Sequence, residues 1–217
     1  MRPKKIADIL QIIASFVGST PDDLAVTRAS KIGPYATLVS TILSTRTKDE
    51  VTQVATPQLL ALAPTPKQMV LLPDETIARA IYPTSFHNMK AKMLKRVSQQ
   101  LIDRHGGEVP DNLEELLLLY GLGRKCANLV LTLGFGKPGI CVDTHVFSIS
   151  NRMGFVKART PHEAEEQLRD KLPAKWWIPI NGVLIAFGRS ICTPVSPKCS
   201  QCPVRSQCPR IGVTKSR

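Results

Sequence analysis

Apolar residues along this chain recur three and four positions apart, and no sustained alternation of period two interrupts them. The pattern predicts helices throughout and an all-α fold. Ile6, Ile9, Leu10, Ile13, Phe16 and Val17 mark one face of an amphipathic N-terminal helix. Pro34 to Ser44 is apolar nearly all round, as a central buried helix would be. The next helix begins near Thr47, with Thr47 or Asp49 as its cap, and Pro57 is expected to kink or split it. Thr65-Pro66 and Pro73-Asp74 read as two further helix starts, the second stopped by Pro83. A long helix runs from Phe86 to His105 and ends at Gly106-Gly107. Asp111 is expected to cap a short helix from Asn112 to Leu119. After a turn at Gly121–Gly123, an apolar helix runs to about Gly134 or Gly136. Asp143 to Met153, Thr160 to Leu172 and Trp176 to Ile191 complete the set.

The turn at Gly121–Gly123 carries the most chemistry. Two glycines permit positive φ and close approach of backbone to a ligand. The helix that follows begins with amides that intrahelical bonding does not use and with the positive end of its dipole, which together suit an anion. Arg124 and Lys125 lie in its first turn. A plain turn is the simpler reading of Gly-x-Gly; the basic pair immediately after it favours a phosphate. Lys125 is then either another phosphate-facing cation or a nucleophile. A nucleophilic amine must be neutral, which burial, neighbouring Arg124 and the helix start would each favour. Eighteen residues further on lies Asp143. It is a candidate N-cap for its own helix and a candidate for stabilising positive charge, two roles that are compatible.

Charge points the same way. The 217 residues carry a formal net charge of +12, with no acidic residue after Asp170 and none between Asp23 and Asp49. Such a balance aids solubility, and it also fits a polyanionic partner. With 43% hydrophobic residues the chain is globular and long enough for one domain or two small ones. The apolar run near the N-terminus is broken by Asp8 and Gln11, and no stretch reaches the length of a membrane span. The expectation is therefore a soluble, cytoplasmic protein, with the nucleus as the alternative.

Four of the six cysteines crowd the C-terminus as Cys192, Cys199, Cys202 and Cys208, spaced C-x6-C-x2-C-x5-C. A tail this rich in proline and polar residues cannot build its own core and needs a staple. Disulfides are disfavoured inside cells. Zinc takes four thiolates, commonly as two well-separated C-x2-C pairs, and a [4Fe–4S] cluster takes closely strung ones. Either metal centre would aim Lys198, Arg205 and Arg210 outward. Cys126 and Cys141 read as ordinary small buried residues.

Three segments together carry a resemblance to a known family: Gly121-Leu-Gly-Arg-Lys-Cys-Ala-Asn128, Val142-Asp-Thr-His-Val-Phe147, and the four-cysteine tail. In this order and spacing they resemble the endonuclease III branch of the helix-hairpin-helix DNA glycosylases, in register from about Tyr35 to Cys208. Leu43 to Asp49 and Phe86 to Lys92 are similar to that family's two DNA-contacting loops. The resemblance implies a bifunctional DNA glycosylase and AP lyase that removes oxidised pyrimidines from duplex DNA and carries a [4Fe–4S] cluster on Cys192, Cys199, Cys202 and Cys208. It implies Lys125 as nucleophile and Asp143 as its carboxylate partner, with Gly121, Gly123, Arg124 and His145 among the DNA contacts. Arg46 and Phe86 would fill the gap left by an everted nucleotide. It further implies a monomer of two helical domains with the DNA groove between them. One spans about residues 26–137 and the other combines 1–25 with 138–217. Tyr120 stands where the family usually has proline, Arg46 where it more often has glutamine, and Ser85-Phe86-His87 replaces a glycine-containing version. Same-fold mismatch or uracil glycosylases typically lack the lysine. A non-catalytic DNA-binding or electron-transfer cluster protein would have no need of Lys125 paired with Asp143.

Overall fold

The structure, a computed structural model, describes residues 3–18 and 32–217. Every regular element among the described residues is helical and none is a strand. The chain forms two compact units, Ala29–Lys137 and Met1–Arg28 with Pro138–Arg217. The expected boundary near residues 25 and 26 lies outside the described residues.

In the unit Ala29–Lys137, α2 (Gly33–Ser44) is the central element, burying Leu38, Val39, Ile42 and Leu43. It packs against α3 (Asp49–Leu62) and against the later helices of the unit. α4 (Pro66–Leu71) starts at Thr65, whose hydroxyl accepts the Gln68 amide, and α5 (Asp74–Ala80) follows. α6 (His87–His105) is the long helix; it ends where Gly106 turns left-handed and the Gly107 amide reaches back to Leu101 O at 2.9 Å. α7 (Leu113–Leu117) leads through the Gly121 turn to α8 (Arg124–Leu129), which continues as a π-helical turn over Val130–Gly134. A Cβ on Gly134 would lie 3.2 Å from Pro34 Cα, so only glycine lets this turn meet the start of α2 without displacement.

Three local expectations are corrected. α3 is not split at Pro57, since a single lost amide does not outweigh the packing of Ala55 and Leu59 on one side of it. Neither Thr47 nor Asp49 caps that helix: Lys48 takes the N-cap position without a side-chain bond, Asp49 lies inside the first turn, and the Thr47 hydroxyl is bonded elsewhere. The cap of α7 is Asn112, not Asp111. Asn112 Oδ1 accepts the Glu115 amide at 2.9 Å, while Asp111 pairs with Lys137 Nζ at 2.6 Å.

In the other unit, α1 (Pro3–Phe16) and α9 (Thr144–Arg152) pack on α11 (Pro179–Ser190), with α10 (Pro161–Lys171) against α9. Ile6, Leu10, Ile13, Val146, Ile149, Phe155, Leu168, Trp176, Leu184 and Phe187 form the core. The helix expected from Trp176 to Ile191 divides into a 3-10 turn, Ala174–Trp176, and α11, because Pro179 fits the first turn of a new helix. Beyond Ile191 the chain has two 3-10 turns, Cys199–Gln201 and Arg205–Gln207, and otherwise no regular structure.

Candidate active site and cluster site

The hairpin turn is held from α6. Gly121 adopts φ 70°, where side chains are rarely accommodated, and a Cβ there would come within 3.1 Å of Met93 Cε. The Tyr120 amide donates to Gln100 Oε1 at 2.7 Å, and Arg96 lies over the Tyr120 ring at 3.8 Å. Leu122 is buried and plugs the turn into the core. Gly123 differs from expectation: at φ −82° and ψ 164° it is extended backbone open to any residue, and its carbonyl accepts the first helical amide, from Ala127, at 3.0 Å. A Cβ at Gly123 would meet nothing within 4 Å, so what glycine contributes there is an uncovered backbone.

Arg124 is half-buried and Lys125 exposed, while Ala127 and Asn128 face inward. Lys125 therefore faces outward in the first turn of α8 and is not buried. Behind it, burial pushes the Cys126 thiol upward, and the nearby Lys125 charge opposes the shift. Cys126 is half-buried and Cys141 fully buried.

Asp143 is the N-cap of α9, with Oδ1 accepting the Val146 amide at 2.8 Å. The segment leading to it is anchored by buried Ile140, Cys141 and Val142 and by Asn181 Nδ2 bonded to Cys141 O at 3.1 Å. His145 is half-buried against α11 at Gly188, where an added Cβ would overlap its imidazole.

The two remaining candidates, Arg46 and Phe86, occupy different loops of the unit Ala29–Lys137 and come together. Both adopt left-handed backbone, φ 53° and 58°, and Arg46 Cζ lies 5.9 Å from the Phe86 ring centroid. Phe86 is 53% exposed, well beyond what core packing would leave. Lys90 was not foreseen. It is 3% exposed, and its Nζ bonds the first of these loops at Thr45 and Thr47 and the end of α2 at Leu43. Its position on the apolar stripe of α6, in line with Leu94, Val97 and Leu101, is the signal that could have found it.

Cys192, Cys199, Cys202 and Cys208 line one pocket together with Ile191, Val213 and Arg152, and none is in a disulfide. Among the described residues no three His, Cys, Asp or Glu side chains gather as they would around a single metal ion. Four thiols lining one pocket suit a multi-iron cluster. Burial drives the Cys192, Cys202 and Cys208 thiols upward, and the charges of neighbouring cysteines add to the shift. Four thiolates so placed need a cationic centre between them. Arg152, also unforeseen, ties α9 to this loop through Thr193 O at 2.8 Å and Pro194 O at 2.6 Å.

Residues 39–174 match the HhH-GPD superfamily of base excision DNA repair proteins, and residues 192–208 match the iron-sulfur binding domain of endonuclease III. Endonuclease III of Thermotoga maritima is 46% identical over 175 residues, 81% of this chain and 82% of that protein. The chain belongs to the endonuclease III branch of the HhH-GPD superfamily. Endonuclease III-like protein 1 of Mus musculus is 36% identical over 96% of this chain and 69% of its own length. A solved endonuclease III trapped as a covalent intermediate with DNA superposes with a TM-score of 0.85 at 30% identity, covering 97% of both chains. As a member of the endonuclease III branch the protein is a DNA-binding base excision repair enzyme, a DNA glycosylase with AP lyase activity, and carries a [4Fe–4S] cluster. No helix among the described residues is long and apolar enough to cross a membrane.

Proposed function

We propose that the chain removes oxidised pyrimidines from duplex DNA and cuts the strand at the resulting site, with Lys125 as the nucleophile. The observation that carries this reading is the hairpin. A left-handed Gly121 and an uncovered Gly123 lead into a helix start whose first turn presents an exposed lysine. The backbone amides at that start, with Arg124, hold a DNA phosphate. Lys125 Nζ attacks C1′ of the everted nucleotide, and the bond from C1′ to the base breaks with its electrons leaving on the base. Nζ then gives up a proton and its lone pair opens the sugar by breaking C1′–O4′, O4′ taking up a proton. The resulting Schiff base loses a proton from C2′, the C3′–O bond breaks to release the 3′ phosphate by β-elimination, and hydrolysis returns the free amine.

Asp143 supplies the carboxylate that orients the amine and offsets positive charge on the sugar. Its cap to Val146 fixes the side chain so that this charge is placed rather than mobile. His145, two residues further on, is the remaining candidate for a phosphate contact. Arg46 and Phe86 fill the gap left by the everted nucleotide, a task suited to an exposed aromatic ring with a cation beside it. Cys192, Cys199, Cys202 and Cys208 hold the cluster, which when bound staples the tail and aims Lys198, Arg205 and Arg210 at the phosphate backbone. The enzyme acts as a monomer in the compartment that holds the chromosome, the cytoplasm or the nucleus.

Borohydride trapping on duplex DNA with an abasic site tests the central claim. The wild type should give a covalent adduct and Lys125→Ala none. Asp143→Asn keeps the cap, since asparagine caps as well as aspartate. It should therefore melt like the wild type and lose most of its cleavage. A Lys125→Ala protein that still traps would overturn the assignment.

A further inference from the structure

Lys90 lies in the first turn of α6 with its side chain directed into the unit. Its Nζ donates to Leu43 O at 2.7 Å, to Thr45 O at 2.9 Å and to Thr47 Oγ1 at 2.8 Å. Thr47 Oγ1 in turn accepts the amide of Ser85 at 3.1 Å. One ammonium therefore holds the last turn of α2 at Leu43, the loop that follows it to Thr47 and, through Thr47, the residue just before Phe86. The two side chains bracketed by this arrangement are Arg46 and Phe86, both on left-handed backbone and 5.9 Å apart.

Burial by itself does not favour a lysine here. A buried cation is costly, and burial pushes Lys90 from 10.5 down to about 8. A methionine would fill the same stripe of α6 without that penalty but would leave the Leu43 and Thr45 carbonyls without this donor. What an ammonium alone supplies is three donors, and residues 43–47 present three acceptors to it, the third of which, Thr47 Oγ1, also holds the Ser85 amide.

We infer that Lys90 is a positioning residue for the pair Arg46 and Phe86, locking the two loops in the register in which both side chains enter the duplex together. It acts on the opening of damaged duplex and on the choice of opposite base, and not on the sugar chemistry at Lys125. The inference rests on Arg46 and Phe86 being the gap-filling pair. Two left-handed non-glycine residues do not hold their conformation unaided, and a set of bonds converging on one buried group over-determines both.

The test uses the full chain with its cluster loaded and four proteins: wild type, Lys90→Met, Thr47→Val and Phe86→Ala. Each is assayed under single turnover on duplexes carrying an oxidised pyrimidine opposite each of the four bases. Each is also trapped with borohydride on a bulged abasic site that has no base opposite and no gap to fill. Lys90→Met should slow duplex excision roughly 10- to 100-fold, the scale of an ångström-size misplacement. It should also flatten the spread among opposite bases while trapping the bulged site at the wild-type rate. Thr47→Val, which removes the link to Ser85 and one of the three Lys90 bonds but leaves those to Leu43 and Thr45, should act in the same direction by less and covers the case in which Lys90→Met fails to fold. Equal losses on duplex and bulge would show a merely structural lysine and overturn the inference. Wild-type rates and spread in both variants, with Phe86→Ala impaired, would overturn it and leave the gap-filling pair intact. Wild-type duplex excision by Phe86→Ala would remove the pair itself, and the role of Lys90 with it, while the Lys125 adduct would still stand.

Discussion

The hairpin region and the cysteine tail present basic backbone by opposite means. From α6 to α8 the chain is helical and packed, with Leu94, Val97, Leu101, Leu116, Leu122 and Val130 all buried. Its turn stands on that core through Met93 and Gln100. From Ile191 to Arg217, Ile191 and Val204 are the buried hydrophobic residues, and two 3-10 turns supply the regular structure. The tail is held by scattered bonds, such as Ile211 N to Arg152 O at 3.0 Å and Arg217 N to Pro197 O at 2.9 Å, and by its four thiols. A region with a core can place a backbone by packing. One without a core has to be stapled.

Cutting the staple should break this contrast most completely. Cys202→Ser is expected to lose the iron and sulfide and to release residues 191–217 to rapid hydrogen exchange, while the helices of Ala29–Lys137 keep their protection; equal loss in both would show that the regions are not independently held. Next in size, Leu116→Ala should lower stability in urea by about 2–5 kcal/mol through cavity formation, with iron content unchanged. Arg152→Ala leaves the Thr193 and Pro194 carbonyls without their donor. It should speed exchange locally in the tail by an amount worth about 1–3 kcal/mol, with the hairpin region unaffected.

Asn112→Ala should cost about 1 kcal/mol in a thermal melt, the worth of one helix cap. Asp111→Ala should cost less, since its pair with Lys137 is exposed. The last effect is a slope, absent at neutral pH. Because Lys90 titrates near 8 in the fold and a free lysine near about 10.4, the unfolded chain holds that proton more tightly. Stability should therefore rise as pH climbs from about 8 to about 10.4, and Lys90→Met should lose this rise.

Periodicity and caps made most of the helices legible. Thr65, Thr160 and Asp143 announce their helices because a cap is a local bond, three residues long. The same rule chose wrongly between Asp111 and Asn112, since Lys137, distant in sequence, takes the aspartate. Thr47 resembles a cap for a similar reason: the lysine that claims its hydroxyl lies 43 positions away. Gly121 shows the conformation that two glycines in a turn suggest, whereas Gly123 does not need it. The outward position of Lys125 could not be read because helical phase at a hairpin depends on where Leu122 anchors the turn. Spacing placed the four cysteines together, and it held no sign of Arg152 behind them.

Arg46 and Phe86 carry a practical warning for anyone wishing to make this protein hardier. A non-glycine residue in left-handed backbone costs about 1–2 kcal/mol, so both positions would rank high on a list of sites to exchange for glycine. The exchanges would give a more heat-tolerant protein stripped of the two side chains its loops are shaped to display. A screen on melting temperature alone would select that outcome, and only an assay on damaged duplex would reveal it.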